Sequence, residues 1–193
     1  MGKLVVVGII AIILLIAGCG SYNSLVTSEE TVNEAWSQVE NQYQRRADLI
    51  PNLVATVKGY AAHESNVLTR VTEARARATG ITVDSKVLED PQAFQRFEAA
   101  QNELSQALRQ LLMVTENYPN LKADQQFLAL QSQLEGTENR IATERRRFNS
   151  VVQQYNTKVR RFPAAIFAGL FGFEEKQYFK SAPGSDKVPE VKF

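Results

Sequence analysis

The sequence predicts an all-α protein: an elongated antiparallel helical bundle or coiled coil of three long helices, followed by a short C-terminal helix. Apolar residues recur at three- and four-residue steps through most of the chain, which places them on one face of a helix. The same stretches are rich in Ala, Glu, Gln, Arg and Leu, which favour helix. An uncharged N-terminal run is the third observation, and it predicts that the bundle is membrane-anchored.

Composition excludes some classes of protein. The 193 residues include 22 basic and 21 acidic side chains, for a formal net charge of +1. A nucleic-acid-binding protein carries a large basic excess, so we expect no nucleic acid partner. The chain has one cysteine, which cannot form an intramolecular disulfide.

The anchor is the uncharged run from Leu4 to Gly18, which follows Lys3. As a helix it would span ~22 Å, against ~30 Å of bilayer hydrocarbon, and it matches the length of a signal-peptide core. The residues "IAGC" that end at Cys19 resemble a bacterial lipobox, in which the cysteine is lipidated. We therefore predict a signal peptide or membrane anchor over residues 1–21, with lipidation at Cys19. The alternative is an incidental cysteine in a transmembrane helix.

Charges on either side of this run predict the orientation of the chain. Lys3 lies before it, and Glu29, Glu30 and Glu34 are the first charges after it. Positive charge stays on the cytoplasmic side, so the remainder of the protein is expected outside the cytoplasm.

The bundle is predicted over residues 22–173. A first amphipathic helix runs from Tyr22 to about Thr79, and a second begins with Asp90 as N-cap and ends near Asn117. A third runs from about Lys122 to Arg161, and the short loops between them imply antiparallel neighbours.

Pro51 lies inside the first predicted helix. Proline removes a helical hydrogen bond at a cost of ~3 kcal/mol, yet the apolar phase continues across it. We therefore predict a kink at Pro51 and not a chain reversal. With three helices that run out, back and out again, the C-terminal end of the bundle would lie far from the membrane.

One polar face of the first helix is a candidate interface seam. Its members lie in line on a helical wheel: Arg45, Asp48, Asn52, Thr56, Gly59 and His63. Catalysis is the alternative for this face, but no nucleophile–base pair accompanies it and the single histidine and single cysteine are far apart. We predict no enzyme, no cofactor and no metal.

The segment "PAAIFAGLFGF" is uncharged and too short to span a bilayer. It either covers the end of the bundle as a short helix or contacts lipid or another protomer. Its candidate contact residues are Ile166, Phe167, Leu170, Phe171 and Phe173. Arginines precede it in "VRRF", where a phosphate-binding role is diluted by nearby acids. The tail, 174–193, is predicted to be extended or disordered.

Four stretches make the sequence recognisable: "YNSLV", "AWSQVENQYQRRADLIPNLVATVKGYAAHE", "LEGTENRIATERRRFN" and "YNTKVRRFP". They resemble the LemA family over nearly all the chain after the anchor. The resemblance implies a membrane-anchored bundle of long antiparallel helices without a settled enzymatic activity. It also implies a loose link with membrane-bound zinc metalloproteases and with membrane shaping. Family members often carry a plain spanning helix, from which the lipobox-like cysteine departs.

The function predicted from these observations is a non-enzymatic helical scaffold or interaction protein of the bacterial cell envelope. We expect it to bind membrane lipid through its N-terminus and to form homo-oligomers. The alternatives are an accessory or adaptor subunit of a membrane-bound zinc metalloprotease, a membrane-shaping protein, and an enzyme that uses the polar face.

Overall fold

The computed structural model describes residues 2–81 and 85–180, and over these residues the regular elements are all helices. They are α1 (Gly2–Tyr60), α2 (Ser65–Gly80), a 3-10 turn (Ser85–Leu88), α3 (Pro91–Thr115), α4 (Pro119–Lys122), α5 (Gln125–Arg160) and α6 (Ala164–Phe171). The predicted all-α bundle with a short C-terminal helix is confirmed.

The helices run alternately away from and toward the N-terminal end of the bundle. Helix α2 folds back on α1, where Arg75 Nε donates to the carbonyl of Ala47 at 2.7 Å. Helix α3 then runs parallel to α1. Helix α5 returns antiparallel to α1 and contacts it along the length of α5. At the distal end, the Tyr60 hydroxyl donates to a carboxylate oxygen of Asp124 at 2.8 Å.

Two helix starts follow directly from N-cap residues. The Asp90 side chain accepts hydrogen bonds from the backbone N–H groups of Gln92 and Ala93, at 2.8 and 3.1 Å. Asp124 caps α5 in the same way, by accepting from the N–H of Phe127 at 2.8 Å. These bonds satisfy backbone donors that a helix N-terminus otherwise leaves without partners. The predicted N-cap at Asp90 is confirmed.

The core has two apolar clusters along the bundle. The cluster nearer the N-terminus is rich in aromatic side chains, and the distal cluster is mostly aliphatic. The aromatic cluster includes Trp36, Phe94, Phe97, Phe148 and Phe179, and ring centroids within it lie 5.0–6.1 Å apart. The aliphatic cluster includes Ile50, Leu53, Val57, Leu104 and Leu111.

The prediction of one helix from Tyr22 to Thr79 is wrong at one place. Helix α1 continues through Pro51 without reversal, as predicted, but it ends at Tyr60. Residues 61–64 form a turn, after which α2 runs back along α1. This extra reversal brings α5 and α6 back to the N-terminal end. The predicted distant tip is therefore wrong, because α6 packs against α1.

After α6, an extended segment of residues 173–180, here called the strap, runs along the bundle. Its backbone is fixed by Asn156, whose side chain bonds the N–H and the carbonyl of Lys176 at 2.9 Å each. Asn149 holds Phe179 by the same pair of bonds, also at 2.9 Å. The predicted tail is thus extended and packed over 174–180, and residues 181–193 lie outside the described part of the chain.

Candidate functional site

The N-terminal end of the bundle carries a concentration of exposed apolar side chains, which we call the apolar end. On α1 these are Leu4, Val5, Val6, Val7, Ile9, Ile12, Leu15 and Ile16. At the α5–α6 corner they are Phe162, Ile166, Leu170 and Phe171, between 50% and 77% exposed. Contiguous apolar surface of this kind marks a site of contact with a partner or a membrane.

Helix α6 is held against α1 by close contacts. A Cβ added to Gly18 would lie 3.0 Å from Cε1 of Phe167, so a glycine here lets the two helices approach. The ring of Tyr22 meets those of Phe171 and Phe173 edge-on, at centroid distances of 5.0 and 5.8 Å. The Phe-rich segment therefore covers one face of α1 at Gly18 and Tyr22, whereas Leu15 and Ile16 of α1 stay exposed.

Of the predicted contact residues, Ile166 and Leu170 point to solvent, whereas Phe167 and Phe173 are partly buried against the protein. The segment thus covers part of the bundle as a short helix, and its contact with lipid or another protomer stays a prediction. Cys19 lies in α1 and is exposed, and its lipidation stays a prediction. Within the residues described, no helix has a segment long and apolar enough to cross a membrane, so the predicted transmembrane helix is not supported.

The predicted polar seam lies on the outside of the protomer. Arg45, Asp48, Asn52 and Gly59 are exposed, and Thr56 is partly buried. Asp48 accepts a hydrogen bond from Gln44 at 2.8 Å and does not pair with Arg45. Nothing lies within 4 Å of a Cβ built on Gly59. His63 is in the turn after α1, so it does not belong to this helix face. The hydrogen bonds of its side chains, from Gln44 to Asp48 and from Thr56 to the carbonyl of Asn52, stay within α1.

The buried polar site is instead Arg46, the neighbour of the predicted Arg45. Its side chain is only 1% exposed, and it donates to Glu138 of α5 and Ser105 of α3 at 2.7 Å each, and to Gln101 of α3. It also lies 5.1 Å from the ring centroid of Tyr43. The guanidinium joins three helices in a polar layer between the two apolar clusters.

A signal for Arg46 was present in the sequence. It occupies a core position, three residues after Tyr43 and four before Ile50, both of which belong to the apolar stripe. An arginine in such a stripe indicates a buried ion pair or hydrogen-bond network. Arg45, its exposed neighbour, does not fall on the apolar stripe.

A second buried cation, Lys176, fastens the strap. Its side chain is 4% exposed, and Nζ lies 2.6 Å from Glu89 and 2.9 Å from Glu29. Burial lowers the pKa of Lys176, but hydrogen bonds to the two carboxylates outweigh it, so that the pKa is raised. Nearby, Arg145 pairs with Glu98 at 3.1 Å and stacks 4.3 Å from the Phe179 ring centroid. These charges are partnered within the chain and serve packing.

The described residues bring together no group of three or more His, Cys, Asp or Glu side chains that could hold a metal ion. The buried charges, Arg46 and Lys176, are engaged by carboxylates at 2.6–2.9 Å. Fold and surface together define an all-α bundle protein with one apolar end.

Comparison with known proteins gives the family. The model of the LemA family matches residues 35–193, so the chain belongs to the LemA family, and the resemblance seen in the sequence is confirmed. The chain is 26% identical over 200 residues to magnetosome protein MamQ 1 of Paramagnetospirillum magneticum, which covers 95% of this chain and 74% of that protein. Magnetosome protein MamQ of Magnetospirillum gryphiswaldense is 26% identical over 181 residues, or 86% of this chain and 66% of the relative. Protein LemA of Metamycoplasma hominis is 23% identical over 144 residues, or 74% and 61%.

Proposed function

We propose that this protein is a non-enzymatic helical scaffold of the bacterial cell envelope, attached to the membrane at its apolar end. The observation that carries the proposal is the meeting of exposed apolar surface from α1 and α6 at that one end. Helix α1 runs from this surface into the bundle without a break, so an attached N-terminus holds the bundle at a fixed angle. If the lipobox-like sequence before Cys19 is processed, a lipid on that residue is the attachment, residues 1–18 are removed, and α6 supplies the apolar surface beside the lipid. If the chain is not processed, the exposed side chains of α1 and α6 supply the attachment together.

Membrane attachment is tested by fractionation of cells that express the full chain. The variant Leu170→Glu replaces an apolar side chain that is 73% exposed with a charged one. Burial of a leucine side chain in an apolar environment is worth about 1.5–3 kcal/mol. We expect the variant to be released from membranes at lower detergent concentration than the wild type. Leu128→Glu is the matched control, because Leu128 is exposed on α5 toward the distal end. Wild-type protein in the soluble fraction would refute the proposal.

Lipidation at Cys19 has its own test. Mass spectrometry of the wild type should show a chain that begins at Cys19 with an added acyl mass, and Cys19→Ala should yield the full-length, unlipidated chain. An intact wild-type chain from Met1 without acyl mass would exclude lipidation. Protease treatment of spheroplasts would then show whether the bundle lies outside the cytoplasm.

The scaffold role includes self-association, for which the polar seam is the candidate surface. Charge reversal by Asp48→Lys should weaken oligomers in sedimentation experiments, whereas Glu30→Lys, at another exposed position of α1, should not. Equal sedimentation of both variants and the wild type would remove the seam from the interface.

The second candidate function, which the resemblance to the LemA family implies, is an accessory subunit of a membrane-bound zinc metalloprotease. A cross-linking pull-down from native membranes separates the two functions. Self-association alone supports the scaffold, and a co-purified metalloprotease supports the adaptor. Electron microscopy of vesicles with bound protein tests membrane shaping.

A further inference from the structure

At the apolar end, an open groove of about 420 Å³ lies between α1 and the α5–α6 corner. One wall is formed by α1, including Gly20 and Leu25, and the other by Phe162 and Pro163. The side chains of Lys158 and Arg161 border this groove. An apolar groove with a cationic border fits a molecule that has an anionic head and a hydrocarbon chain.

The partners of these two cations differ from those of the other basic groups nearby. Nζ of Lys158 contacts only hydroxyls, with Ser28 Oγ at 2.6 Å and Ser24 Oγ at 3.4 Å. Over the described part of the chain, no carboxylate oxygen lies within 4 Å of the Lys158 or Arg161 charge. By contrast, Arg160 lies 3.9 Å from Glu175.

The acids near "VRRF" therefore do not neutralise this groove. The carboxylate of Glu29 follows Ser28 directly, but it is engaged by Lys176 at 2.9 Å. Among the residues that the structure describes, both positive charges at the border thus have no carboxylate partner and can receive an anion. Arg161 can offer a phosphate two parallel N–H donors, and Lys158 a point charge.

We propose that this groove binds the headgroup of an anionic phospholipid, with its phosphate between Lys158 and Arg161 and the start of an acyl chain along Leu25 and Phe162. The proposal rests on the proposed function, because it requires the apolar end to lie at the membrane. A free phosphate would use the same two cations. The lipid is favoured because the groove continues into the exposed apolar surface of Phe162 and α6.

The test measures lipid binding to the purified full chain in neutral detergent micelles. Short-chain phosphatidylglycerol and phosphatidylcholine are titrated separately, and native mass spectrometry counts the lipids that remain bound. We expect the chain to retain phosphatidylglycerol in preference. A basic residue near an anionic membrane surface is worth about fivefold in binding, so Lys158→Gln with Arg161→Gln should weaken phosphatidylglycerol binding roughly 30-fold.

The matched control is Arg140→Gln with Arg146→Gln, which removes the same charge from the exposed face of α5. These residues lie 12 or more positions before Lys158, about 18 Å or more along the helix. The control should bind phosphatidylglycerol as the wild type does. Arg161→Lys should keep part of the affinity, and thermal melting of each variant shows that the bundle is intact.

The outcomes separate this proposal from the proposed function. Equal binding of phosphatidylglycerol and phosphatidylcholine would refute the assignment of the groove as a lipid site. So would an equal loss of phosphatidylglycerol binding in the control variant. Membrane attachment, which fractionation measures, would stand in either case. Inorganic phosphate is added in a third arm against chloride of matched ionic strength. If it displaces phosphatidylglycerol at the same concentration, the groove is a site for soluble phosphate and the lipid assignment is wrong. If the chain binds phosphatidylglycerol but does not fractionate with membranes, membrane attachment is refuted while lipid binding by the groove stands.

Discussion

Replacement of Arg46 tests the polar layer that divides the core. Arg46→Ala removes the guanidinium that α1 places between α3 and α5, and Arg46→Met removes the charge but keeps most of the side-chain volume. The matched control is Arg45→Ala, because Arg45 is the same residue type, one position away and exposed. The three variants separate loss of the hydrogen bonds from loss of packing and from loss of charge.

The size of the effect follows from what each variant leaves behind. Gln101 is buried and would lose its contact with the guanidinium, which costs about 1–3 kcal/mol. Loss of the two buried methylenes Cγ and Cδ contributes roughly 1.6 kcal/mol more to the Ala variant. Both variants also avoid the free-energy cost of burying the guanidinium, which offsets part of the loss. Glu138 adds little to the loss, because it is 40% exposed and water solvates it. We expect a loss of about 3 kcal/mol for Ala and about 1–2 kcal/mol for Met.

The assay is thermal melting of the full chain in neutral detergent, followed by circular dichroism. For a chain of this length, 1 kcal/mol changes Tm by about 2–4 °C, so Arg46→Ala should melt about 6–12 °C lower. Arg45→Ala should stay within about 0.5 kcal/mol of the wild type. Hydrogen exchange should become faster in α3 around Gln101 and Ser105, because that helix loses its bond to α1. If Arg46→Met and Arg45→Ala melted together, the polar layer would not contribute to stability.

Two further predictions concern the apolar end and the strap. In the full-length chain, for which Cys19→Ala serves as the background, Gly18→Ala and Gly20→Ala each gain helix propensity worth up to ~1 kcal/mol. Only a Cβ on Gly18 meets Phe167, at 3.0 Å, so Gly18→Ala should melt below Gly20→Ala, and equal melting would contradict the close contact. The pKa of Lys176 is raised in the folded protein, so charged Lys176 stabilises the fold. This stabilisation is fully present below pH 10.5, the ordinary pKa of lysine, and is lost as the pH rises through the raised pKa. Trp36 fluorescence should report strap release there, since Phe179 stacks on Trp36 at 5.9 Å, and Lys176→Met should release the strap at neutral pH.

Much of the fold could be predicted because local signals and core positions agree. Asp90 with Pro91 starts α3 as its sequence indicates, and the apolar stripe continues through Pro51 because the helix does. The turn at 61–64 was missed for a physical reason. The buried residues around it, Val57, Ala61 at its first position, Leu68 and Val71, have spacings that also fit one uninterrupted helix.

The location of α6 depended on that turn and was wrong as a consequence. One unseen reversal changes the number of times the chain crosses the bundle, and it moves every later element to the opposite end. The strap was missed for another reason. Its buried side chains, Lys176 and Phe179, are three residues apart in an extended segment. This spacing does not have the two-residue period of a strand, and a lysine in the sequence gives no sign that it is buried. Asparagine amides, carboxylates and aromatic rings from residues distant in sequence hold it in place.

The lengths of the helices explain why the strap is needed. Helix α5 has 36 residues and α2 has 16, or about 54 and 24 Å. Helix α2 begins at the distal turn, so it covers the aliphatic half of the bundle and ends before the aromatic half. There the α1–α5 pair needs another element to exclude water from Trp36 and Phe148, and Phe179 of the strap packs against both rings. The half of the core nearest the apolar end is therefore closed by a segment held through two asparagines and one buried lysine. Contact of that end with a membrane or a partner would therefore act next to the aromatic half of the core, which this strap closes.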